Sequence, residues 1–459
     1  MDTKDRVAHA VSMVRSGLAR LRTADPRPVE TRAVAQKALV IGGGIAGLTA
    51  ALAIADHGFP VDLVEQTETL GGNLQWLGRT LAGEYVGVYL ADACRRVEKH
   101  PHVTVHTQSR LVHGEGQVGA FISNIEDAAG QVTTIDHGVT ILATGGQEAP
   151  TASYGHGSLG GVVTQKALEA RITDGTLDAE MGSIVMILCV ESREEPRNYC
   201  SRVCCGTALK HALALKKEHP DMAVTILYRD MMTTGFSESC YTEARRQGVL
   251  FIRYTPDRKP AVAASGPDEP RSLQVSVWEP LLERQLSIHA DMVVLATGVV
   301  PVLPGDVAAA YAAVRDVDGF FQEAESKWRP VDSLAEGVFA CGLCHSPKSI
   351  DASVASAEAA AQRSLRILNH EALPAGVITA KVRQSLCTLC LRCIDDCPYG
   401  ARSVDIDAGA IAVNPAMCQG CGACAATCPN GASILEGYSK RVVMGMIDAA
   451  FAGSVTVEG

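Results

Sequence analysis

The stretch from Lys37 to Glu65, KALVIGGGIAGLTAALAIADHGFPVDLVE, decides the fold. An apolar run, ALVI, enters a glycine turn, Gly42-x-Gly44-x-x-Gly47; a helical segment follows from about Ile45 to His57, and a second apolar run, PVDLVE, closes on Glu65. Strand, glycine turn, helix and strand in that order make one half of a dinucleotide-binding fold. The first glycine permits the tight turn, the second lets backbone approach a pyrophosphate, and the third lets helix and strand pack closely. The free N–H groups at the helix start then face the phosphates. Glu65, eighteen residues past Gly47, is placed to accept hydrogen bonds from a ribose. Residues 38–55 could be mistaken for a membrane span, but Gly42, Gly43, Gly44 and Gly47 would each cost a helix about 1 kcal/mol relative to alanine. No transmembrane segment is expected.

Outward from this core, 459 residues with 47% hydrophobic and 20% charged side chains suffice for two or three globular domains. A net charge of −10 argues against nucleic acid and anionic membrane surfaces, which select basic faces. The opening MDTKDRVAHA has no apolar signal core, so a reducing, cytoplasmic setting with free thiols is expected. Residues 1–36 read as an amphipathic helical lead, with Val7, Val11, Val14, Leu18 and Leu21 at helical spacing before the Pro-containing ADPRPVE. HGVTILATGG at 137–146 is echoed by ADMVVLATG at 290–298, which suggests two crossings between neighbouring nucleotide-fold domains. The expected division is a flavin domain over 37–180, an inserted domain over 181–298, a return segment over 299–372, a ferredoxin domain over 373–440 and a tail over 441–459.

The sixteen cysteines are concentrated. Cys387-x2-Cys390-x2-Cys393-x3-Cys397-Pro398 is followed by Cys418-x2-Cys421-x2-Cys424-x3-Cys428-Pro429, the spacing of a two-cluster ferredoxin. Three thiolates of each run hold one cube while the fourth, before proline, crosses to the other. The expected ligand sets are Cys387, Cys390, Cys393 and Cys428, and Cys418, Cys421, Cys424 and Cys397. Zinc ribbons lack the third and fourth cysteines and the proline.

A second dinucleotide site would need its own glycine turn after the strand SIVMIL. The chain instead reads Cys189-VESREEPRNY-Cys200-SRV-Cys204-Cys205. Four thiolates in this space suit one [4Fe-4S] cluster; a buried thiol group or a zinc site is the plainer alternative, and the adjacent pair does not follow common zinc spacing. Cys94 and Cys240 read as small buried side chains, and the Cys341-x2-Cys344 pair as packing rather than a redox disulfide.

LGGN at 70–73 together with the LATG strand resembles the FAD site of two-dinucleotide-fold flavoprotein reductases, and so favours FAD over NAD. A closer resemblance covers the chain from about residue 8 onward. CVESRE…NYCSRVCCGTALKHA, YRDMMTTGFSESCYTEARRQGV and VFACGLCHSPKSIDASVASAEAAA resemble HdrA, the flavin-carrying subunit of heterodisulfide reductase. The resemblance implies an α/β, thioredoxin-reductase-like fold of two dinucleotide-binding domains with a C-terminal 2[4Fe-4S] ferredoxin domain.

It also implies FAD contacts at Gly42, Gly44, Ile45, Ala46, Gly47, Glu65, Gln66, Gly72, Asn73, Ala143, Thr144, Gly145, Gly342, His345, Pro347, Lys348, Asp351 and Ser353. Cys189, Cys200, Cys204 and Cys205 become ligands of a third [4Fe-4S] cluster. Lys210 becomes a candidate catalytic group near the flavin ring, where its charge would stabilise the reduced ring; its plainer role is a solvated helix lysine. The longest members carry a further N-terminal domain and an inserted cysteine-bearing segment, whereas the corresponding stretch here has only Cys94, so some of their clusters are expected to be missing.

The implied function is electron transfer between FAD and clusters within a complex containing B and C subunits. The resemblance extends to flavin-based electron bifurcation or confurcation, a donor module such as a hydrogenase or formate dehydrogenase, and homodimerisation. The competing readings are an NAD(P)H-dependent reductase like the glutamate synthase small subunit, and a ferredoxin adaptor with a vestigial flavin fold.

Overall fold

The computed structural model of the chain describes residues 3–24, 31–178, 180–266, 272–302, 307–374, 378–415 and 417–452. Its architecture rests on two five-stranded parallel sheets. In the first, Ala38–Ile41 lies between Val139–Leu142 and Val61–Val64, with Val338–Ala340 and Val103–His106 outside them. Helices cover one face and a three-stranded antiparallel sheet the other, so ALVI reads as an unbroken apolar run, and VDLV is broken only by the buried Asp62. Leu39, Val40, Val61 and Leu63 are fully buried.

The second sheet repeats this order except at one edge, where its earliest strand in the chain takes the place held in the first by the latest. Ser183–Ile187 lies between Met292–Leu295 and Ala223–Tyr228, with Val162–Thr164 and Leu250–Arg253 at the edges. In each unit a three-stranded antiparallel sheet is interposed before the strand that carries the ATG sequence. The two chain crossings run side by side, as Gly146–Glu148 pairs antiparallel with Val299–Pro301.

One expected boundary needs correction. The boundary at 180/181 is too late, because Val162–Thr164 already pairs with Met292–Leu295 and the Gln165–Thr173 helix follows directly. A three-residue edge strand is too short to show a period. The N-terminal helix, Thr3–Thr23, packs on a C-terminal helix, Lys440–Phe451, with Ser12 Oγ donating to the Ala450 carbonyl. Yet Val7, Val14 and Leu21 remain 59%, 63% and 75% exposed, and Val11 and Leu18 are exposed as well. The apolar stripe does not enter the core. The tail begins as this helix, capped by the Ser439 side chain. Residues 25–30 of the Pro-containing stretch, 375–377 of the linker and 453–459 lie outside the described residues.

The C-terminal module is built from two short antiparallel pairs, Ala380–Val382 with Ser433–Leu435 and Arg402–Asp405 with Ala410–Val413. Its loop at Gln419 is tied to the flavin domain: Arg329 Nη1 donates to Gln419 Oε1 at 3.2 Å, and Gln419 Nε2 to the Leu334 carbonyl at 3.1 Å. Asp332, gripped by Arg363 at 2.9 and 2.8 Å, holds the segment that supplies those partners. Among the described residues no helix is long and apolar enough to cross a membrane.

Candidate functional site

The glycine turn has the shape its spacing requires. Gly42 has φ +111°, and a Cβ there would lie 2.2 Å from the Ala143 carbonyl oxygen. A Cβ on Gly47 would lie 1.8 Å from the Gly42 oxygen, so this helix and strand meet backbone to backbone. Gly44, which caps the Ile45–Ala55 helix, has no heavy atom within 4 Å of the Cβ position. That open space before a helix start fits a pyrophosphate. Ile45 and Ala46 open the helix, and a Cβ on Gly342, φ +70°, would meet Ala46 Cβ at 2.8 Å. The return segment therefore closes on the cradle.

Glu65 is buried and its carboxylate orders the turn. Oε2 accepts from Gly43 N at 2.7 Å, and Oε1 accepts from Thr67 N and Oγ1, each at 2.8 Å. Oε2, with a single donor, keeps a lone pair for a ribose hydroxyl. Gln66 is exposed beside it. Gly71 N donates to the Gly43 carbonyl at 2.8 Å, which brings Gly72 and Asn73 to the turn; Asn73 Nδ2 donates to the Gly146 carbonyl at 2.7 Å. Thr144 Oγ1 donates to the Val302 carbonyl at 3.0 Å, and Gly145 is open on its Cβ side.

His345 lies between Glu323, 3.2 Å from Nε2, and Lys348, 3.1 Å from Nδ1. Burial pushes both His345 and Lys348 toward their neutral forms. Pro347 is buried, while Asp351 is exposed in the first turn of the Ile350–Leu368 helix, two residues before the buried Ser353. Cys341 and Cys344 are fully buried, burial pushes both thiols up, and Cys344 Sγ donates to the Leu142 carbonyl at 3.2 Å. Cys94 and Cys240 are half-buried against the two cores, less enclosed than expected.

In the second unit the Cys204–Glu218 helix takes the place of the phosphate-facing helix, and it opens with two cysteines. Cys189, φ +58°, leaves the strand end toward it. The intervening loop is pinned at the domain crossing: Val299 N donates to Ser201 Oγ at 2.9 Å, and Tyr199 OH to the Val299 carbonyl at 2.9 Å. Cys189, Cys200, Cys204 and Cys205 are brought within electrostatic reach of one another. Burial and then the neighbouring thiols raise Cys204, and burial pushes Cys205 up to about 11. Four thiols crowded this way ionise together only against a metal charge.

The ferredoxin cysteines surround two cavities, and each draws on both motifs. One is lined by Cys387, Cys390, Cys393 and Cys428, the other by Cys397, Cys418, Cys421 and Cys424. Among the described residues no three His, Cys, Asp or Glu side chains stand close enough to share a single ion.

Lys210, expected beside the flavin ring, is engaged at the seam between the two units. Its ammonium lies 2.7 Å from Glu169 Oε2 and donates to the Arg79 carbonyl at 3.1 Å. Glu169, 3% exposed, also accepts from His211 Nε2 and from Gly78 N. Burial pushes this carboxyl upward, but the His211 hydrogen bond and the Lys210 charge outweigh it and hold it at about 2. The resulting stability is complete above the ordinary carboxylate value and is lost only as pH falls toward 2. Nothing local in the sequence marked Glu169, which meets its partners only in the tertiary fold. Glu169→Leu should strand the Lys210 charge and cost about 3–5 kcal/mol. A lower Tm for the anaerobic holoprotein would register this, and adding Lys210→Met should recover most of it.

These features define a two-dinucleotide-fold flavoprotein with an iron–sulfur module at its C-terminal end. Residues 37–82 match the FAD binding domain family, and residues 380–429 match the 4Fe-4S dicluster domain family. The fold resembles thioredoxin reductase from Lactococcus lactis (FR conformation), with a TM-score of 0.51 and 18% identity over 72% of this chain and 99% of that one.

Two curated relatives carry the comparison further. One is the HdrA subunit of the ferredoxin:CoB-CoM heterodisulfide reductase of Methanosarcina acetivorans, 30% identical over 94% of this chain and 69% of the relative. The other is an HdrA iron–sulfur subunit of the CoB–CoM heterodisulfide reductase of Methanopyrus kandleri, 31% identical over 85% and 73%. The chain belongs to the HdrA family of heterodisulfide reductase subunits and is an FAD- and iron–sulfur-containing oxidoreductase component.

Proposed function

We propose that this chain carries electrons between one FAD and three [4Fe-4S] clusters inside a cytoplasmic heterodisulfide-reductase-type complex. The observation that supports it most directly is the replacement of a second phosphate cradle by Cys189, Cys200, Cys204 and Cys205, two of which open the helix that would otherwise face a nucleotide. When bound, the flavin supplies the exchange between paired and single electrons that cubes can pass on only one at a time. Gly42, Gly44, Gly47 and Glu65 would hold its diphosphate and ribose, and the segment from Gly342 to Ser353 would cover its ring. Cys397, Cys418, Cys421 and Cys424 would hold one ferredoxin cluster, and Cys387, Cys390, Cys393 and Cys428 the other. Lys210, fixed by Glu169, would place the cysteine-bearing helix against the flavin domain.

In this reading B and C subunits perform disulfide chemistry, a hydrogenase or formate dehydrogenase-type module supplies electrons, and the flavin divides an electron pair between two routes. Anaerobically purified protein should contain one FAD and about twelve irons, four for each cube. NADPH alone should leave the flavin oxidised. Rapid bleaching by NADPH, or about eight irons, would return the second unit to a nucleotide site.

A further inference from the structure

Arg402, only 5% exposed, is a basic side chain seated among the ferredoxin cysteines. It begins the Arg402–Asp405 strand, four residues after Pro398, and lines the cavity of Cys397, Cys418, Cys421 and Cys424. Its Nη2 donates to Cys424 Sγ at 2.9 Å and to Ser433 Oγ at 2.6 Å. Its Nη1 is buried with no protein partner. No carboxylate pairs with it among the described residues. A buried guanidinium with neither counter-charge nor a full set of acceptors is costly, so its position implies an anion in the same space.

The two motifs make the point sharper. CPYGARS at 397–403 and CPNGASI at 428–434 align residue for residue, so Arg402 corresponds to Ser433. The ferredoxin end is pseudo-symmetric in cysteines and asymmetric in charge. The guanidinium contacts a ligand of one cavity directly, while it reaches Cys393 of the other only through its field. Hydrogen bonds to sulfur and nearby positive charge both stabilise the more negative, reduced state of a cluster.

We infer that Arg402 sets the two ferredoxin clusters apart, by raising the reduction potential of the one held by Cys397, Cys418, Cys421 and Cys424. Arg402 is a tuning residue acting through Cys424 and through its unpartnered Nη1, which would donate to an inorganic sulfide. The inference rests on the cluster ligation proposed above. An electron on the module then rests at the tuned cluster, and the other has to be reached uphill.

The test is an EPR-monitored redox titration of the full-length holoprotein and of Arg402→Met and Arg402→Lys, with iron and flavin counted in each sample. Arg402→Met should lower the higher of the two ferredoxin midpoints by at least tenfold in the reduction equilibrium, about 59 mV for one electron. The other midpoint should move less. Arg402→Lys, which keeps the charge and loses the fork, should fall between. Unmoved midpoints with intact clusters, or equal shifts in both, would overturn the inference. Loss of the same cluster from both variants would make Arg402 a structural residue and overturn it as well. A wild-type protein without two ferredoxin clusters would instead defeat the ligation reading.

Discussion

Gly44→Ala should give a folded protein that no longer retains FAD. At φ −75° and ψ −177° the position lies in a region open to any residue, and an added methyl meets nothing of the protein. The fold therefore has no reason to object, and the Tm of the flavin-free protein should match that of wild type stripped of flavin. The methyl does enter the space in front of the helix start, where the diphosphate would need to approach backbone N–H groups. Affinity should fall by roughly a hundredfold or more, about 2.8 kcal/mol. Titrating deflavinated protein with FAD measures this.

Gly47→Ala offers the contrast, because its methyl would lie 1.8 Å from a backbone oxygen. That variant should lose stability whether or not flavin is supplied. Full FAD occupancy in Gly44→Ala would remove the cradle from this turn.

Cys428→Ala should strip the cluster of the other motif. Its side chain lines the cavity of Cys387, Cys390 and Cys393, although it follows Cys424 by only four residues. Iron should fall by about four of about twelve, and the spin coupling between two neighbouring reduced cubes should give way to the signal of one isolated cube. Cys397→Ala should do the converse and leave the first-motif cluster in place. If Cys428→Ala and Cys424→Ala emptied the same site, each motif would be holding its own cube and the crossed pairing would be wrong.

Much of this was legible in the sequence because its chemistry is local. Gly47 answers to Gly42 five residues away within the turn that the glycine spacing spells out, and the cysteine spacings follow from wrapping a short loop around a cube. The strands Ala38–Ile41 and Ser183–Ile187 were equally plain, since a strand buried on both faces is largely apolar. What escaped depends on tertiary meetings. Glu169 finds Gly78 across 91 residues, and Lys210, placed near a flavin by resemblance, is held by that same carboxylate. Arg402 left a fainter mark, a charged residue where the parallel motif has serine. The stripe from Val7 to Leu21 shows the opposite limit, since periodicity identifies a face but not what, if anything, covers it.

Gln419 stands between two cysteines of one cavity, and both ends of its amide are spoken for by groups of the flavin domain. The loop around that cavity is thus shared property of two modules. Cutting the last eighty or so residues free as a miniature ferredoxin would leave this amide facing water and release the loop that carries Cys418 and Cys421. The excised piece should hold the cube of Cys387, Cys390, Cys393 and Cys428 more faithfully than the one it borrowed a wall to build.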